Sequence, residues 1–132
     1  MSPSLNLKHN TYLENKILSS TNEELILLML DGILKFNSMT KKNILDDNIE
    51  QKTININKSI AIFIELISTL NKDTKLFEYL NGLYSYQIKL LTEINILTEN
   101  EKEKAIKKLD IVSNVVKELK KAYIEDLERL NS

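Results

Sequence analysis

The chain has 132 residues, a hydrophobic fraction of 42%, and a formal net charge of −1 from 18 basic and 19 acidic residues. This length favours one domain with its own core, and the interspersed charges leave no basic patch of the kind that nucleic-acid binding requires. The absence of cysteine excludes disulfides, thiol nucleophiles and thiolate metal sites.

The chain opens with a polar tail that lacks the apolar core of a secretory signal, followed by a short apolar arm. The arm carries Tyr12, Leu13 and Ile17. It is too apolar for a solvated tail and too short for a stable isolated helix. We therefore expect residues 1–18 to form a tail and an arm that covers a groove, and residues 19–132 to form a bundle.

A capping box marks the start of the first predicted helix. The Thr21 hydroxyl can accept a hydrogen bond from the Glu24 amide, and the Glu24 carboxylate can reach back. Apolar residues then recur at helical spacing as far as Phe36, so we expect a helix from about Thr21 to about Thr40. Gly32 lies inside it, where either another backbone packs closely or the glycine is simply tolerated.

Three further amphipathic runs follow, separated by short turns that contain asparagine and aspartate. Their apolar residues recur every three or four positions, which is the helical period. The first turn is expected at Lys41–Asp47, and the helices at about Asn48–Leu70, Thr74–Leu97 and Glu101–Leu130. A strand at Ile60–Ile64 is the less favoured alternative, because β-branched residues lower helix propensity there.

Four amphipathic helices with short connections predict an all-α fold, an antiparallel four-helix bundle with an N-terminal apolar arm. The single histidine, His9, lies in the tail, and there is no glycine-rich phosphate loop or nucleophile elbow. No apolar run is long enough to insert into a membrane. We therefore expect no enzyme, no metal and no cofactor, and a catalytic or small-molecule-binding bundle serves only as a contrast.

The second and third helices carry more apolar positions than a bundle of this length needs, and surplus apolar surface must be covered or kept for a partner. Tyr79, Tyr84 and Tyr86 lie on the third helix. Tyrosine suits interfaces because its ring is apolar and its hydroxyl stays hydrated. Each could be a core-edge aromatic instead, but together they predict the wall of a groove for a hydrophobic or helical peptide.

Several short motifs occur in a characteristic order. Tyr12 is followed five residues later by Ile17, then by a helix opening at Ser19–Leu25 and by Met29–Gly32, with a Leu-Tyr-x-Tyr pattern inside Leu80–Asn95. In this order and spacing, the chain resembles the FliS family of flagellar secretion chaperones over nearly its whole length.

The chain departs from the pattern of that family at four positions. Leu30 stands where the family has tyrosine or phenylalanine before Asp-Gly, and Asn22 replaces the proline of the helix opening. Ile94 replaces an alanine, and Tyr123 replaces a tryptophan near the C-terminus. Because each keeps an apolar or capping role, these changes concern groove detail and partner preference.

The resemblance implies a cytoplasmic export chaperone that binds the disordered C-terminal segment of flagellin, prevents premature polymerisation and assists delivery to the flagellar export apparatus. The export gate or a co-chaperone is a further candidate partner. A helical adaptor for another flagellar or regulatory protein is the alternative. The protein would be a monomer, or a dimer that exchanges its arms.

The resemblance also implies where the client binds. Tyr12, Leu13 and Ile17 would form a cover that the client displaces. The residues expected to build or shape the groove are Leu30, Asp31, Gly32, Leu83, Tyr84 and Tyr86. Of these, Leu30 and Tyr84 are alternatively plain core.

Overall fold

The structure of the protein, a computed structural model, describes residues 22–130 apart from three side chains near the end of that range. The described residues form four α-helices, which are α1 Asn22–Leu45, α2 Ile49–Ser68, α3 Leu76–Asn95 and α4 Lys102–Leu130. They contain no strand, so the alternative at residues 60–64 is wrong. The expected arm, and the Thr21 cap, lie outside the described residues, and the division at residue 18 stays a prediction.

The helices pack as a ring. α1 contacts α2 and α4, α2 contacts α3, and α3 contacts α4. Short connections between consecutive helices make them antiparallel, so the predicted antiparallel four-helix bundle is confirmed. The contact between α1 and α2 is the most extensive, and the contact between α3 and α4 is the least extensive of the four.

The end of α1 differs from the prediction. The helix continues to Leu45, and Asp47, at a φ of 57°, then reverses the chain. The Asn48 amide donates to the Asn43 carbonyl at 2.9 Å and the Asp47 amide to the Ile44 carbonyl at 3.2 Å, as in a Schellman motif. The turn expected over residues 41–45 was wrong because local turn preference is outweighed by burial of Ile44 against the core.

The other helix ends lie within two residues of their predicted positions. Asn48 caps α2, since its Oδ1 accepts a hydrogen bond from the Gln51 amide at 3.1 Å. A 3₁₀ turn at Glu99–Glu101 precedes α4, and the Thr98 amide donates to Glu101 Oε1 at 3.0 Å. These caps explain why an asparagine precedes α2 and a threonine precedes the 3₁₀ turn before α4.

Buried apolar side chains from all four helices form one core. Phe63 of α2 and Tyr84 of α3 pack within it, with ring centroids 6.1 Å apart. On α1, a Cβ added to Gly32 would lie 3.0 Å from Cδ1 of Ile62 on α2. Gly32 therefore leaves room for a neighbouring side chain, which is neither of the two alternatives that the sequence left open, a closely packed backbone or a tolerated glycine.

A polar layer crosses the middle of this core. Ser59 Oγ donates to Asn37 Oδ1 at 2.7 Å, and Asn37 Nδ2 donates to Ser113 Oγ at 3.1 Å, which joins α2, α1 and α4. Gln87 of α3 is also buried, but its Nε2 donates to the Leu83 carbonyl of its own helix at 3.2 Å and does not join this layer. Buried polar groups that are hydrogen-bonded in this way restrict helix register.

Beyond this layer, Lys52 is buried near the C-terminal end of α3. Its ammonium donates to the carbonyl of Leu97 at 3.3 Å and to that of Ile94 at 3.5 Å. These carbonyls lie where a helix leaves acceptors without partners, and the positive charge also matches the dipole of α3. Lys52 thus ties α2 to the end of α3.

Candidate functional site

A groove of about 390 Å³ lies between α3 and α4, the pair of neighbouring helices with the least extensive contact. We call it the α3–α4 groove. Its lining is mostly apolar and consists of Tyr79, Leu83, Asn114, Val115, Glu118, Leu119 and Ala122. An exposed apolar strip with a few polar groups at its edge is typical of a surface that binds another chain.

One wall of the groove is a face of α3. Tyr79, Leu83 and Tyr86 are separated by four and three residues, so they lie on the same side of the helix. Tyr79 is 65% exposed and Tyr86 is 51% exposed, whereas Leu83 is half-buried. The Lys89 ammonium lies 5.8 Å from the centroid of the Tyr86 ring. This wall therefore offers aromatic surface with hydroxyl groups that remain hydrated.

The opposite wall is a face of α4. Val115, Leu119 and Ala122 are separated by four and three residues and follow the groove. Ile111 is one turn before Val115 and 46% exposed, so it extends the apolar strip. Because the side chain of Ala122 is small, the groove is shallow on this side at that position. From Ile111 to Ala122 the strip covers about three helical turns, or roughly 16 Å.

Contacts between α3 and α4 hold the groove in shape. Tyr84 is buried beneath it, and burial, followed by the charge of Tyr123 and a hydrogen bond with Tyr123, raises the pKa of Tyr84 above its ordinary value. Its hydroxyl therefore stays protonated. Further along, Lys108 Nζ lies 3.0 Å from Glu93 Oε1, and this hydrogen bond lowers the pKa of the Glu93 carboxyl.

Of the six groove residues predicted from the sequence, two lie on the surface of this groove face. Leu83 lines the groove and Tyr86 continues its wall. Leu30 and Tyr84 are buried at 0% and 1% exposure, so they can shape a groove only from within the core. This placement agrees with the alternative given above for both residues, that they belong to the core.

The remaining two predicted residues lie elsewhere. Asp31 of α1 is exposed, and its Oδ1 is 2.7 Å from Lys120 Nζ on α4, which puts it on the α1–α4 side of the bundle. Gly32 faces Ile62 of α2. The cover residues Tyr12, Leu13 and Ile17 lie outside the described part of the chain.

The sequence argument did not assign α4 to the groove. Val115 and Ala122, seven residues apart, widen the apolar face of α4 beyond its main seam. These additional apolar residues are the feature of the sequence that could have assigned α4 to the groove. Which helix it faces depends on how the bundle closes, so periodicity alone did not connect it with Leu83.

A second depression, of about 510 Å³, lies on the α1–α4 side. Its apolar members are Leu34 and Ile124, and the rest of its lining is charged, namely Lys117, Lys120, Lys121, Glu125 and Glu128. Two ion pairs cross this side of the bundle, one of them between Lys41 and Asp110 at 3.6 Å. The α3–α4 groove is the more apolar of the two and hence the stronger candidate for binding a hydrophobic segment.

The part of the chain that the structure describes contains no group of acidic or histidine side chains placed to hold a metal ion. None of its helices is sufficiently long and apolar to cross a membrane.

Residues 5–128 match the family model described as flagellar protein FliS. The chain belongs to the FliS family. A flagellar secretion chaperone FliS of Campylobacter jejuni subsp. jejuni is 36% identical over 122 residues, which cover 91% of each chain. A protein of the same name from Bacillus subtilis is 32% identical over 88 residues, which cover 67% of this chain and 66% of that relative.

These comparisons confirm the family to which the sequence motifs pointed. Membership supports a chaperone role in flagellar export, and the bundle with its apolar groove is the structural element available for it.

Proposed function

We propose that this protein is a cytoplasmic export chaperone that binds the disordered C-terminal segment of flagellin, prevents its premature polymerisation and assists its delivery to the export apparatus. The observation that carries the proposal is the exposed apolar α3–α4 groove on a chain of the FliS family. No catalytic step is part of this function.

The groove suits a client that folds as it binds. A disordered segment with apolar residues every three or four positions can form a helix whose apolar face covers the strip from Ile111 to Ala122. Burial of apolar surface on both partners offsets the entropy lost when the segment becomes ordered. While covered, that face of the client is unavailable for polymerisation.

We further propose that Tyr12, Leu13 and Ile17 cover the groove when no client is bound. Because the helices are antiparallel, α1 begins at the end of the bundle where α3 begins and α4 ends. Asn22, the first described residue, therefore lies at the same end of the bundle as Tyr79 and Ala122. Five extended residues reach about 16 Å, which is comparable to the width of a bundle of this kind.

The test is a calorimetric titration with a synthetic peptide that spans the C-terminal segment of the flagellin from the same organism, with circular dichroism in parallel. One-to-one binding, a negative heat-capacity change and a gain of helix would support burial in a groove coupled to folding of the client. Tighter binding after deletion of residues 1–18 would support the cover.

Absence of binding by both the intact protein and the shortened protein would overturn flagellin as the client. The alternative of an adaptor for another flagellar or regulatory protein would then take first place. Binding of equal strength by the two forms would retain flagellin as the client and reject the cover.

A further inference from the structure

One carboxylate stands in the wall of the α3–α4 groove. Among the described residues that line the groove, Glu118 is the only one with a charged side chain. It lies three residues after Val115 and four before Ala122, so it is one helical turn from each. The wall across from it is formed by Tyr79 and Leu83. A helix seated on this part of the strip would therefore pass a negative charge on its α4 side, opposite the uncharged side chains of Tyr79 and Leu83 on α3.

Three carboxylates on the neighbouring surfaces are already paired. Those of Asp31, Glu93 and Asp110 each lie within ion-pair distance of a lysine on a neighbouring helix. Glu118 is exposed, and no hydrogen bond or ion pair engages it among the described residues, not even with Lys121 one turn away. Its charge is available to a ligand.

The strength of an ion pair depends on how much water surrounds it. A fully exposed pair contributes little, because water and salt screen it. A client helix that covers Val115 and Ala122 would exclude water from one side of Glu118, and the attraction to a cation on the client would rise as the local dielectric falls. An acidic residue at the same place would be repelled, which is how an interface rejects unsuitable partners.

We propose that Glu118 is a specificity-determining residue of the α3–α4 groove and selects a client helix that carries a lysine or arginine beside its apolar stripe. This inference rests on the proposed function, because it assumes that the groove binds the client. The preferred ligand is thus an amphipathic helix of about three turns with one cationic edge that faces α4.

The first experiment titrates the flagellin C-terminal peptide into the wild-type protein and into Glu118→Gln and Glu118→Lys, at low and high salt. At low salt, we expect the Kd to rise about threefold for Glu118→Gln, which removes the ion pair, and about tenfold for Glu118→Lys, which also repels the cation of the client. Added salt should weaken binding to the wild-type protein and reduce the difference in Kd between the wild type and each Glu118 variant.

Matched controls are Glu103→Gln and Glu103→Lys. Glu103 is an exposed carboxylate on the same helix and does not line the groove, so these variants reproduce the change in net charge. Their Kd should stay within about twofold of wild type. An equal loss of affinity for the Glu103 and Glu118 variants would mean that the overall charge of the protein, and not a local ion pair at Glu118, affects binding.

The second experiment replaces each lysine and arginine of the peptide by glutamine in turn and measures every peptide against the wild-type protein and Glu118→Gln. The proposal requires one position whose replacement weakens binding to the wild type and has little effect with Glu118→Gln, which is the signature of a coupled pair. Losses of the same size in both proteins at every position would overturn it.

The two proposals fail in different ways. Tight binding by the wild type together with an unchanged Kd for both Glu118 variants would overturn the role of Glu118 and leave the proposed function intact. No binding of the peptide to the wild type, with or without residues 1–18, would overturn the proposed function and the assignment of Glu118 together.

Discussion

The two halves of the bundle have different cores. The half that includes the α1–α2 turn, taken together with the polar layer at the middle of the core, is here the polar half. It buries Asn37, Lys52, Asn55, Ser59 and Gln87 among its apolar residues. The half that includes the start of α1, here the apolar half, is filled by large apolar side chains, with Tyr84 as their polar exception. The α3–α4 groove opens along the apolar half.

This difference has a physical consequence. Hydrogen bonds are directional, so the Asn37 layer and the Lys52 contacts favour one register of the four helices. Apolar burial is not directional, so the apolar half can accept another helix on its surface without breaking a hydrogen bond. The polar half therefore fixes the helix register, and our proposal places the client on the apolar half.

The largest expected effect is on stability, and it should differ between two tyrosines that lie two residues apart on α3. Tyr84→Ala removes a buried ring that packs against Phe63, and we expect the free energy of unfolding to fall by about 3–5 kcal/mol. Tyr86→Ala removes an exposed ring and should change it by less than about 1 kcal/mol. Urea denaturation measures both, and comparable losses would contradict the assignment of Tyr84 to the core and Tyr86 to the surface.

The next effect tests the polar half. Lys52→Met keeps most of the side-chain volume and leaves the carbonyls of Ile94 and Leu97 without the ammonium, which should reduce the free energy of unfolding by about 1–3 kcal/mol. Lys107→Met, at an exposed position of α4, is the matched control and should cost about 0.5 kcal/mol or less. A gain in stability for Lys52→Met would mean that burial of the ammonium destabilises the fold by more than its hydrogen bonds stabilise it.

A smaller effect should appear in binding and not in folding. Ala122→Glu places a carboxylate in the apolar strip, and we expect the Kd for the flagellin peptide to rise about tenfold because that charge would be desolvated by the client. The free energy of unfolding should change by about 0.5 kcal/mol or less. Ser85→Glu adds the same charge at an exposed site of α3 that does not line the groove, and it should leave the Kd unchanged.

The smallest effect concerns pH. The hydrogen bond from Lys108 lowers the pKa of Glu93 in the folded protein, so the pair stabilises the fold above the pKa of the unfolded chain. That stability is lost as the pH falls through the lower, folded pKa. Glu93→Gln should therefore make the free energy of unfolding less dependent on pH on the acid side, as measured by urea titrations at several pH values. The same substitution at the exposed Glu78 is the control, and an equal change there would reject a specific pair.

The candidate site was only partly predictable, and particular residues show why. Leu83 and Tyr86 were expected in the groove through the resemblance, and the structure places both on one flank of α3 beside the α3–α4 groove. Leu30 and Asp31 were grouped with them through a motif, yet adjacent residues on a helix point in different directions. The structure accordingly buries Leu30 and pairs Asp31 with Lys120 on another side of the bundle.

The sequence by itself determined the number and class of the elements and most helix ends, because helical period, caps and turns depend on neighbouring residues. Tertiary structure decided where α1 ends, which tyrosine is buried, and that Leu83 and Val115 line one groove. These features depend on residues that are distant in the chain, and burial of Ile44 or the closure of α4 against α3 outweighs any local preference.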